Sequence, residues 1–122
     1  MNQPVSRIAR VKLDLQETGC AAADAHIKKL AETLCESAER AAREYESSAS
    51  SHGIVNRLRM HTLRFTMRVS PVTSGGRLTL NISAAMRCGD RCETVEFTEV
   101  WDAAAGKMIS LRKSGSGNMY KT

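Results

Sequence analysis

The chain has 122 residues, of which 42% are hydrophobic and 25% charged, and a formal net charge of +5. That size holds one domain with an ordinary core, and the composition is neither disordered nor fibrous. No apolar run is long enough to span a bilayer, and the opening "MNQPVSRIARVKLDL" mixes charges with apolar residues, unlike a signal peptide.

The charge is unevenly spread. Residues 1–53 carry seven Lys/Arg against eight Asp/Glu, and residues 54–122 carry eleven against five. A basic C-terminal half points to an anionic partner, or to nothing more than a solvated face. The sequence leaves the compartment open: a cytoplasmic place is expected for the sequence as given, and an extracytoplasmic one if an upstream signal or anchor has been removed.

In "ARVKLDL", Ala9, Val11, Leu13 and Leu15 alternate with Arg10, Lys12 and Asp14, which predicts a strand with one apolar face. The stretch 24–49 predicts an amphipathic helix. Ile27, Leu30, Ala31, Leu34, Ala38, Ala41, Ala42 and Tyr45 recur at three- and four-residue steps, with Asp24 as the expected N-cap and Gly53 as the stop. Its apolar face narrows to alanine in the second half, which allows close approach of a sheet. Leu58 and Met60 are out of phase with the following strand, so a bulge is expected near His61.

Four further strands follow by period-two alternation. Leu63, Phe65, Met67 and Val69 form one face of the first, and Leu78, Leu80, Ile82, Ala84 and Met86 one face of the second. Val95, Phe97 and Trp101 share a face of the third, with Glu99 as an exception among them. Ile109 and Leu111 mark the last strand. The order β-α-β-β-β-β, with one apolar face per strand, predicts an α+β fold: one long helix packed on a curved antiparallel sheet, as in cystatin-like folds. Residues 1–113 are expected to form the domain and 114–122 a polar tail.

Strand faces constrain the turns, because a one-residue slip flips every side chain. A two-residue loop at Gly89-Asp90 pairs Arg87 with Cys92, Ala84 with Val95 and Ile82 with Phe97, matching apolar to apolar. A three-residue loop at Ala104–Gly106 sets Trp101 beside Ile109. For the earlier hairpin, Val69 beside Leu78 and Phe65 beside Ile82 leave Pro71, Val72, Thr73, Ser74, Gly75 and Gly76 as an exposed tip, a candidate protein-partner loop. That register places Arg64 across from Ser83 and Arg68 across from Thr79.

Chemical motifs are sparse. Cys88 and Cys92 project to opposite faces in the preferred register, which suits neither a chelate nor a disulfide within the hairpin, and Cys20 and Cys35 supply no second zinc knuckle. No metal, cofactor or catalytic residue is expected. His61, at the expected bulge, is the candidate for an enzyme with a pocket between helix and sheet. The outward face is more informative: Arg10, Lys12, Arg64, Arg68, Arg77 and Arg87 project there as candidate anion-binding residues. Phe65, Phe97 and Trp101 point the other way, so no platform for stacking bases is offered.

The Ser74-Gly75-Gly76 tip and the run "FTEVWDAAAGKMISL", with Trp101-Asp102 leading through Gly106-Lys107 to a final strand, resemble the extracytoplasmic domain of lysozyme-sensing anti-sigma factors and related bacterial cell-envelope proteins. The likeness spans most of 5–113. It implies a non-catalytic binding or sensor module of the bacterial envelope, with a protein or anionic polymer as partner. The alternative is a small cytosolic protein that binds nucleic acid or acidic proteins through the same arginines. The Gln-x-Val-x-Gly hairpin of cystatin protease inhibitors is absent, so inhibition by that wedge is not expected. The sequence leaves the oligomeric state open.

Overall fold

A computed structural model describes residues 8–51, 63–89 and 91–115. The element order is β1 (Ile8–Asp14), α1 (Ala21–Ser51), β2 (Leu63–Ser74), β3 (Arg77–Cys88), β4 (Arg91–Asp102) and β5 (Lys107–Gly115). The strands form one five-stranded sheet in the order β1-β2-β3-β4-β5, with α1 packed on one face. This is the predicted α+β architecture. Gly53, His52 and His61, with its expected bulge, lie outside the described residues, as does the tail beyond Gly115. Residues 114–115 of that predicted tail belong to β5.

β2 to β5 pair antiparallel, but β1 joins β2 in parallel, with Val11 beside Phe65 and Leu13 beside Met67. The helix explains the difference. At 31 residues α1 runs about 46 Å, which carries the chain back to the end where β1 began. A strand that starts from that end runs parallel to β1.

The helix begins at Ala21, ahead of the predicted Asp24. Asp24 lies in the first turn, where its amide donates to the Cys20 carbonyl at 2.9 Å. Its carboxylate reaches back to accept from the Thr18 amide at 3.0 Å and the Thr18 hydroxyl at 2.9 Å. Thr18 Oγ1 in turn accepts from the Cys20 amide at 3.0 Å. The Cys20 amide just ahead of the helix is thus satisfied through a Thr–Asp exchange that also places a negative charge on the positive end of the helix.

The core lies between α1 and the middle of the sheet. Ala23, Ile27, Ala31, Leu34, Ala38, Ala41 and Ala42 are buried against Leu63, Phe65, Met67, Val69, Leu78, Leu80, Ile82, Ala84 and Met86. The alanine run lets the sheet come close to the helix backbone, as expected. One helix does not cover five strands. On β1, Val11 and Leu13 stay 50% and 46% exposed, and on β5, Met108, Ile109 and Leu111 stay 37%, 48% and 51% exposed.

The β3–β4 register matches the prediction at every pair named for it. The β2–β3 register does not. Val69 pairs with Ile82 and Phe65 with Met86, and pairing continues to Ser74–Arg77. Pro71 to Ser74 are therefore strand, and the turn is Gly75-Gly76, both at positive φ (58° and 78°), as a tight hairpin of mirror-image type requires. Proline is tolerated at 71 because β1 ends its pairing at Arg68, leaving β2 with a neighbour on one side only. At the β4–β5 turn Trp101 faces Met108 instead of Ile109. A bulge at Ile109 then restores the predicted register from Val100–Ser110 inward.

Candidate functional site

The open face of the sheet, opposite α1, carries the predicted cations Lys12, Arg64, Arg68, Arg77 and Arg87, and the register sorts them into groups. Arg64 on β2 stands directly across from Arg87 on β3, and the residue across from Arg64 on β1 is Arg10. Lys12 pairs with Thr66 one step along. Arg64, Arg87 and Lys12 are exposed, and no carboxylate among the described residues pairs with them. The open face beside them holds Thr66, Ala85, Cys92 and Thr94, so the open face of this end is acid-free among the described residues.

Charge balance changes further along. Arg68 pairs with Asp14 at 3.4 Å, both well exposed, and Glu96 stands across from Ser83 in the same row. Arg77 lies ten positions from Arg87, about 34 Å along the strand, across from Asp102. The six predicted cations thus do not form one site. Arg10, Lys12, Arg64 and Arg87 share one end; Arg68 is partly neutralised; Arg77 sits at the far end beside the Gly75-Gly76 turn. The 71–76 segment, predicted as a loop, is at that far end too, so the two candidate sites are separate surfaces.

Two grooves mark the open face. A groove of about 390 Å³ is lined by Lys12, Asp14, Arg68 and Glu96 around a floor of Thr66, Ser83, Ala85 and Thr94. A second groove of about 220 Å³ continues past Ser70, Asn81 and Thr98. Small side chains on the floor leave room for a ligand, and the walls carry two cations, Lys12 and Arg68, and two carboxylates, Asp14 and Glu96. Arg64 directly opposite Arg87 is unfavourable in the free protein, since like charges across a strand pair repel.

The covered face holds a polar cluster that the sequence reading did not assemble. Glu99 is 2% exposed, and its two oxygens accept from His26 Nε2 at 2.7 Å and Trp101 Nε1 at 3.0 Å. His26 and Trp101 also contact ring to ring, with centroids 5.4 Å apart. The signal was present in part: Glu99 breaks the apolar alternation of β4, and His26 occupies the first turns of α1. Their meeting needed the depth at which the helix start crosses β4. Gly106 helps to fix it, since a Cβ there would stand 3.3 Å from the Cβ of Ala22. The cluster is closed off by its own partners and reads as a clamp between helix and sheet.

Cys88 is buried and Cys92 exposed, on opposite faces as predicted. Burial, followed by the nearby carboxylates of Glu39 and Glu36, raises the Cys35 thiol above its ordinary value. Among the described residues no group of three His, Cys, Asp or Glu could hold a metal ion, and no helix is long and apolar enough to cross a membrane. No known protein-family model, curated protein or solved structure matches this chain.

Proposed function

We propose that this protein is a non-catalytic binding module that takes an anionic partner, a protein or a polymer, on the acid-free end of its open sheet face. The observation that carries the reading is the cross-strand Arg64–Arg87 pair with Arg10 next in register and Lys12 beside it. Like charges placed opposite one another gain stability only when an anion lies between them. The turn motifs shared with anti-sigma-factor sensor domains support a bacterial cell-envelope, sensing context. Burial of Phe65, Phe97 and Trp101 on the other face weighs against single-stranded nucleic acid, which needs exposed rings for stacking.

Retention on a sulfated-polysaccharide matrix tests the site. The Arg64→Glu/Arg87→Glu protein should elute at clearly lower salt than the parent. The Arg77→Glu protein, altered at the far end of the same face, should elute close to the parent. Equal loss in both variants would reduce the binding to net charge and sink the assignment.

A further inference from the structure

We infer that β5 is a docking edge for an extended peptide whose side chains alternate between acidic and apolar. β5 is the last strand of the sheet, so among the described residues the main-chain groups on its far side have no strand partner. Its two faces differ. Towards the helix side it presents Met108, Ile109 and Leu111, a third to a half exposed because α1 packs over the central strands and stops short of this edge, together with Lys113, whose ammonium lies 5.6 Å from the Phe97 ring centroid. On the open side it presents Lys107 and Arg112. The strand has no acidic residue of its own. Asp102, across from Lys107, spends a carboxylate oxygen on the Ala105 amide at 3.1 Å.

A peptide strand added beside β5 alternates its side chains between the same two faces. Apolar side chains on the helix side would cover Leu111 and Ile109, and acidic ones on the open side would meet Arg112 and Lys107. Charge complementarity selects this occupant over a second copy of the chain, which would bring the same cations to face one another. The bulge at Ile109 adds local twist to the edge, and the run 110–115 beyond it pairs regularly with β4. The β1 edge is weaker on the same criteria, since it is shorter and carries Asp14. This site is distinct from the Arg64–Arg87 surface.

The test titrates a capped nine-residue peptide alternating Leu and Glu, matched to the length of β5, into the ¹⁵N-labelled full chain. Amide shifts should run along β5. Arg112→Glu should weaken binding roughly tenfold, because an attractive cross-strand pair becomes a repulsive one. The Leu/Lys analogue, and a Leu/Glu peptide N-methylated at alternate residues, should fail to bind. Arg64→Glu/Arg87→Glu should bind as the parent does. Overturning results are shifts elsewhere than β5, equal binding to the Arg112→Glu protein, equal binding of the Leu/Lys peptide, or self-association of the parent through β5. Arg112 and Leu111 are exposed, so Arg112→Glu and Leu111→Ser should both fold, and Leu111→Ser supplies a second, uncharged check with weaker binding expected.

Discussion

Arg64 and Phe65 are neighbours in the chain and stand on opposite faces of β2, Phe65 fully buried and Arg64 exposed. The two faces resolve their demands differently. Under α1 the central strands meet their requirements within the molecule: apolar side chains bury one another, and the buried carboxylate of Glu99 receives two N–H donors. On the open side Arg64 and Arg87 face each other with no acid between them among the described residues. A demand met inside the fold is structural. A demand left open points outward, to a partner.

The contrast is sharpest in stability. Phe65→Ala removes a ring at the centre of the helix–sheet seam and should cost about 3–5 kcal/mol, read by urea unfolding. Arg64→Ala, one residue away, should stay within about 0.5 kcal/mol. Comparable costs at the two positions would mean that the open face is packed against something, and the distinction between faces would fail.

The clamp comes next. His26→Ala deletes one of two donors to a buried carboxylate and should cost about 1.5–3 kcal/mol. Trp101→Phe removes the other. Both act on Glu99, so the double substitution should depart from the sum of the singles. Strict additivity would mean that the cluster does not act as a unit.

These two faces were not equally legible in the sequence. Strand identity and inward faces could be read from alternation alone, because Leu63 to Met86 are sorted by a helix that covers one side. The β3–β4 register was readable because both strands alternate right up to Gly89-Asp90, so a slip exposes its own error. The β2–β3 register was not, because Pro71, Val72 and Thr73 lie beyond the helix cover and past the end of β1. Alternation carries no apolar signal there, and proline reads as loop. The arginines were visible as outward residues, but whether they cluster depends on register. The four-residue shift in β2 against β3 moved Arg64 from a serine partner to an arginine partner. The Glu99 clamp was hidden for a different reason: it joins residues 73 positions apart through the angle of α1, which no local pattern encodes.

That register shift supports the smallest and most diagnostic prediction. Most surface substitutions are neutral or mildly harmful. Arg64→Glu should instead stabilise the free protein by about 0.5–1 kcal/mol, by turning a repulsive Arg–Arg pair into an attractive Glu–Arg pair. The gain should appear as a higher Tm at low salt and fade as salt screens the exposed charges. The same protein should bind the sulfated polysaccharide less well. A change that raises stability while lowering binding separates a residue kept for the fold from one kept for a partner. If Arg64→Glu lowers the Tm at low salt, Arg64 and Arg87 do not oppose one another on the open face. The repulsion that singles out this end of the sheet would then be absent.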